Sequence, residues 1–119
     1  MKRVRVLVVD DEENIRLLFK EELEEEDYEV ETASNGMEAL EKIKGLPFAV
    51  VVLDIKMPVM DGIQTLNAIK NINKDQPVIL CSAYGEFKQD LSSWVSDGYV
   101  VKSADTRELK ETIKEILSR

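Results

Sequence analysis

Residues 49–53 read Ala-Val-Val-Val-Leu and stop at Asp54, which Ile55-Lys56-Met57-Pro58 follows. An apolar run this short, bounded by charge and then by proline, has the pattern of a strand buried on both faces. Such a strand needs helices above and below it, which restricts the fold more than any other stretch of the chain. It also fixes Asp54 where the strand leaves the core. A carboxylate there is held rigidly and still reaches the surface.

The rest of the chain repeats the theme. Val4 to Val9 reads as a first strand that ends at Asp10-Asp11. A helix over about Glu12 to Glu26 carries Phe19 and Leu23 on its buried stripe, with Ile15 at the edge. Tyr28 to Thr32 alternates apolar and polar residues, as a strand with one wet face does. Ser34-Asn35-Gly36 opens a helix expected to turn Leu40 and Ile43 inward. After the loop that ends in Asp61-Gly62, Ile63, Leu66 and Ile69 recur at helical spacing. Val78 to Cys81 is a further buried run, ending at Ser82-Ala83. A less regular helix is expected around Phe87 to Val95. Tyr99 to Val101 is a short strand ending at Lys102. Asp105-Thr106-Arg107-Glu108 has the spacing of a capping box, and Leu109, Ile113, Ile116 and Leu117 line the helix that follows. Five strands alternating with five helices imply right-handed βαβ units and a doubly wound, five-stranded parallel sheet. The first, third and fourth strands are continuously apolar and therefore central, whereas the second is an edge. The strand order 2-1-3-4-5, of flavodoxin-like type, satisfies this pattern.

At 119 residues the chain is expected to form one domain, residues 1–119. Its net charge of −8 argues against nucleic acid, whose phosphates call for a basic surface. No apolar run approaches the ~20 residues of a membrane span. The N-terminus leads straight into a strand, and the single cysteine, Cys81, fits a reducing compartment, so a cytoplasmic location is expected. The chain has no histidine, which excludes a histidine base, metal ligand or phosphocarrier of its own.

Polar residues converge at the strand ends. Asp10 and Asp11 end the first strand, Asp54 the third, Ser82 the fourth and Lys102 the fifth, all at the carboxyl edge of one sheet. Ligands bind at that edge where the strand order reverses, here between the first and third strands. Taken singly, each residue also has an ordinary reading. An Asp-Asp pair caps helices, and a serine or lysine after a strand is commonly solvated. Together, three crowded carboxylates repel one another and call for a cation, and an all-oxygen set suits Mg²⁺ or Mn²⁺. An incoming phosphoryl group accounts for the remainder. Lys102 would neutralise its oxygens, Ser82 would donate a hydrogen bond, and Asp54 would be the nucleophile. Phosphoryl transfer rests mainly on positioning and charge, so the lack of a histidine base is no obstacle.

The chain resembles the response-regulator receiver domains of two-component signalling. Val8-Val9-Asp10-Asp11, Leu53 to Pro58 with Asp61-Gly62, Ser82-Ala83-Tyr84 and Tyr99-Val100-Val101-Lys102 carry the resemblance, in the family's order and spacing. It implies that Asp54 accepts a phosphoryl group from a sensor histidine kinase. Asp11, Asp54 and the Lys56 carbonyl would bind Mg²⁺ directly, and Asp10 through water. Ser82 and Tyr99 would form a switch pair, although on pattern alone Tyr99 equally reads as an edge-strand aromatic packed on the last helix. The side chains of Lys56 and Tyr84 would flank the site. The implied protein is a phosphoacceptor rather than an enzyme, supporting only its own phosphotransfer and autodephosphorylation. One departure is Lys102-Ser103, where the family usually has proline and often a cis bond. This peptide is expected either to be trans, shifting Lys102, or to stay cis under strain. A second departure is Trp94 to Gly98, where small residues are common.

Leu17 and Leu18 fall off the core stripe of the first helix. By the resemblance, Ile15 and Leu18 would form a kinase-docking patch, and the region of Trp94 and Tyr99 an output surface toward an unknown downstream protein. A stand-alone receiver without an output domain is expected. The alternatives are a receiver excised from a longer regulator and a pseudo-receiver that only binds partners. An aspartate-based phosphohydrolase would need an acid two residues after Asp54, where Lys56 stands. A flavodoxin-like cofactor carrier would need a phosphate loop where Asp10-Asp11-Glu12-Glu13 stands.

Overall fold

A computed structural model describes residues 3–83 and 96–119. The strands are β1 (Arg5–Val9), β2 (Glu29–Ala33), β3 (Val50–Asp54), β4 (Val78–Ser82) and β5 (Gly98–Val101). The helices among the described residues are α1 (Glu13–Glu24), α2 (Gly36–Gly45), α3 (Gly62–Ile72) and α4 (Arg107–Leu117). All neighbouring strands pair parallel, and the sheet order is β2-β1-β3-β4-β5. The helix expected around Phe87 to Val95 lies outside the described residues. Among those residues, no helix is long and apolar enough to cross a membrane.

Strand periodicity divides the core in two. Val6, Val8, Val50, Val52, Ile79, Cys81 and Val100 point to one face, where Phe19 and Leu23 of α1 and Leu109, Ile113 and Ile116 of α4 cover them. Leu7, Val9, Val51, Leu53, Val78 and Leu80 point to the other, under Ala39 of α2 and Leu66 and Ile69 of α3. Leu40 and Ile43 pack there half-buried. Every residue of β3 and β4 is buried, whereas β2 buries only Val30 and Ala33, as befits an edge. The wet side chains of that edge, Glu29 and Glu31, pair with Arg5 of β1, whose guanidinium also lies over the Phe48 ring. At the amino end of the sheet, Asp97 accepts from the Val78 N–H at 2.8 Å and the Lys70 ammonium at 3.0 Å.

The helix starts show what the pattern could and could not fix. Asn35 caps α2 by accepting from the Glu38 N–H. A capping box does form, but at Asp61 and Gln64, ahead of α3. The box expected at Asp105 does not. Thr106 is the cap residue and its side chain makes no capping bond. The Asp105 carboxylate is instead taken by the Arg107 side chain and N–H, and the Thr106 hydroxyl goes to Glu22 on α1. Leu117 also departs from expectation: Ile116 completes the buried stripe and Leu117 is exposed.

The connection from β3 to α3 is tight. Val59 has φ of 70°, rare for a β-branched residue and strained, and the Met60 N–H closes a turn onto the Pro58 carbonyl at 2.8 Å. Gly62 then starts α3 directly against the end of β3. Its N–H donates to the Ile55 carbonyl at 2.7 Å, and a Cβ here would lie 2.6 Å from the Ile55 Cα and collide with the Asp54 carbonyl. Backbone cannot yield as a flexible side chain can, so we expect Gly62→Ala to cost about 2–3 kcal/mol in urea unfolding. Gly45→Ala, where an added methyl meets nothing within 4 Å, should instead be neutral or stabilising by up to ~1 kcal/mol.

Candidate functional site

Parallel strands all deliver their last residues to one edge, and the predicted polar residues meet there. Asp10 follows β1 and is almost fully buried, its N–H bonded to the Ala33 carbonyl. One carboxylate oxygen accepts the Glu12 N–H at 2.8 Å, and the other faces the Lys102 ammonium at 3.0 Å. Asp54 ends β3 with 3% of its surface exposed, its carboxylate 3.6 Å from Lys102. Asp11 is exposed and within hydrogen-bonding reach of Asp54. Ser82 ends β4 and is buried beside them. Its carbonyl accepts the Lys102 N–H at 2.6 Å, which fixes the backbone that carries the lysine.

Burial and like charge dominate the electrostatics. Asp54 is pushed up to about 7, first by desolvation and then by the neighbouring Asp10 charge, with Lys102 pulling the other way. Burial also raises Asp10, against the Glu12 N–H and Lys102. Burial works against the Lys102 charge, but hydrogen bonds to Glu12 and Asp10 and the attraction of Asp10 and Asp54 outweigh it, so the ammonium is held above the ordinary lysine range. Burial beside Asp54 pushes the Cys81 thiol up to about 12, which keeps it protonated.

The donors fit a hard cation. The carboxylates of Asp10, Asp11 and Glu12 bring oxygens within 4.8 Å of one another, with Asp54 alongside and no sulfur or nitrogen ligand in the set. Oxygen-only sites with excess negative charge suit Mg²⁺.

Other predicted residues fall as follows. Lys56 is exposed in the loop after β3. Tyr99 is half-buried opposite Leu80 in β5, packed against the cluster under α2 and α3, on the face of the sheet away from α4. Ile15 and Leu18 are half-buried against the core cluster beneath α1, whereas the neighbouring Leu17 is exposed. No peptide bond among the described residues is cis, so Lys102-Ser103 is trans, and Lys102 still reaches both buried aspartates. Tyr84 and Trp94 lie outside the described residues. Two residues join the site that sequence reasoning did not single out. Glu12 pairs with Lys102 at 2.9 Å, and the Arg16 guanidinium donates to the Asp10 carbonyl at 2.8 Å. The run of four acids after β1 was the available signal for Glu12.

Comparison with known proteins agrees with this geometry. Residues 6–114 match the model of the response regulator receiver domain. A transcriptional regulatory protein of Staphylococcus aureus, SrrA, is 39% identical over 116 residues, which are 96% of this chain and 48% of that protein. The chain thus spans about half the length of the curated relatives it matches. The response regulator TrrA of Thermotoga maritima, solved in complex with Mg²⁺-BeF, is 51% identical with a TM-score of 0.90, over 96% of this chain and 99% of that one. TrrA in complex with the histidine kinase ThkA matches at 50% identity and a TM-score of 0.89, over 96% and 98%. The chain belongs to the response regulator receiver domain family.

Proposed function

We propose that this receiver accepts a phosphoryl group on Asp54 from a sensor histidine kinase, with Mg²⁺ required, and that phosphorylation switches a partner-binding surface. The observation that carries this reading is the pairing of Asp54, nearly buried, with the Lys102 ammonium at 3.6 Å, while Asp10 and Asp11 stand beside it. An Asp54 oxygen attacks phosphorus, and its new O–P bond forms as the N–P bond to the kinase imidazole breaks. The imidazole keeps the electron pair. Lys102 neutralises the phosphoryl oxygens and the Ser82 hydroxyl donates to one of them. Asp10, Asp11, Asp54 and the Lys56 carbonyl would hold Mg²⁺, which supplies charge neutralisation between carboxylates and phosphoryl oxygens. Mn²⁺ would use the same donors. Ser82 and Tyr99 sit on adjacent strands and form the switch pair of this reading.

Docking falls on α1, beside the acidic edge, where Ile15 and Leu18 keep part of their surface. We assign the protein to the cytoplasm, as its lone buried thiol and the kinase partner fit that setting.

Intact mass after incubation with acetyl phosphate tests the central claim. We expect the wild type to gain one phosphoryl group only with Mg²⁺, and Asp54→Ala to gain none. A folded wild type that neither gains mass nor binds beryllofluoride would overturn the reading. Leu18→Ala should slow transfer from the cognate kinase several-fold while labelling by acetyl phosphate stays unchanged.

The raised Asp54 gives a pH signature. Unfolded, this carboxyl loses its proton near its ordinary value of 3.8; folded, only near 7. Between those values the folded state holds the extra proton, so this group's contribution to stability falls as pH rises and levels off above 7. Asp54→Asn lacks that loss. Without metal it should be more stable than wild type by about 1–2 kcal/mol at pH 8, after allowing for water at the rim, and near parity at pH 4, by urea unfolding.

A further inference from the structure

Lys102 has more partners than its role in phosphoryl binding requires. Its ammonium lies 2.9 Å from Glu12, 3.0 Å from Asp10 and 3.6 Å from Asp54, so the aspartate it would serve is the most distant of the three. Asp10 and Asp54 are buried at the strand ends, but the Glu12 side chain is 59% exposed and reaches in from the solvent side. Glu12 occupies the cap position of α1, yet its side chain makes no capping bond. Its carboxylate is committed instead to a lysine ninety positions along the chain. Its backbone is fixed in turn, because the Glu12 N–H is bonded to Asp10. The carboxylate is therefore presented to Lys102 by the same loop that presents the acidic pair.

We propose that Glu12 is a positioning residue that competes with the phosphoryl oxygens on Asp54 for the Lys102 ammonium, and so sets how tightly this site holds a phosphoryl group. The inference rests on the reading of Asp54 as phosphoacceptor. In the unphosphorylated protein Glu12 draws Lys102 toward the solvent side of the site. A phosphoryl group must win the ammonium from a carboxylate already in contact with it. Removing the Glu12 charge while keeping an acceptor of the same size removes most of that competition.

The test uses the full chain and beryllofluoride with Mg²⁺ as the phosphoryl mimic, titrated calorimetrically. Glu12→Gln should bind the mimic about 5-fold more tightly than wild type. Glu13→Gln, one residue on and exposed, should bind like wild type. In metal-free protein, an amine-labelling reagent followed by peptide mapping should modify Lys102 several-fold faster in Glu12→Gln. Unchanged or weaker binding, an equal gain in Glu13→Gln, or unchanged Lys102 labelling would each overturn the proposal. So would a large loss of Mg²⁺ affinity in Glu12→Gln, which would make Glu12 a metal ligand. Failure of the wild type itself to bind the mimic would instead strike the phosphoacceptor reading, and this inference with it.

Discussion

Two carboxylates, Asp10 and Asp54, are buried at the ends of adjacent strands, and one ammonium lies against both. An opposite charge at about 4 Å contributes roughly 4 kcal/mol at an effective dielectric constant near 20. Burying each ion costs several kcal/mol, and the aspartates repel each other as well. One lysine therefore cannot hold both carboxylates in their ordinary ionisation range, and the carboxyl of Asp54 moves up to about 7. The edge is electrostatically unfinished. A divalent cation held by these carboxylates would complete it.

The sheet makes that arrangement possible. Parallel pairing sends the carboxyl ends of β1, β3, β4 and β5 to one side, and the two core clusters fix each strand on both faces. Register then leaves little freedom, since a slip of one residue would exchange Val8 for Val9 and move every side chain to the wrong layer. The tight start of α3 at Gly62 holds the Asp54 end from one side, and the bond from the Lys102 N–H to the Ser82 carbonyl holds the lysine from the other. The site residues inherit their positions from elements whose burial is not negotiable.

Most of this was legible in the chain because it depends on periodicity and on where apolar runs stop. Val50 to Asp54 and Val78 to Ser82 read as buried strands and are. The alternation around Val30 marked an edge, and β2 is one. What escaped depends on competition between side chains, which spacing does not encode. Asp105 stood at capping distance from Glu108, but the Arg107 guanidinium takes its carboxylate. Leu117 and Ile116 differ by one position on a helix, and only the packing of α4 on the sheet decides which is buried. Leu17 and Leu18 looked alike off the stripe, yet Leu18 tucks against the core and Leu17 does not. Glu12 was visible as part of an acidic run, but its lysine is ninety residues away and only the folded sheet edge brings them together.

Cys81 sits opposite Asp54 in the β3–β4 pairing, sealed in the core and kept as a thiol by burial and by that neighbour's charge. Alkylating reagents need both access and thiolate, and the native state withholds both. It is the single cysteine in the chain, so one chemical clock lies in the core beside the carboxyl end of β3. Its rate of modification measures how often the core layer under α1 and α4 opens. Any ligand that completes the charge at the edge should slow that clock, without a label having to be engineered in.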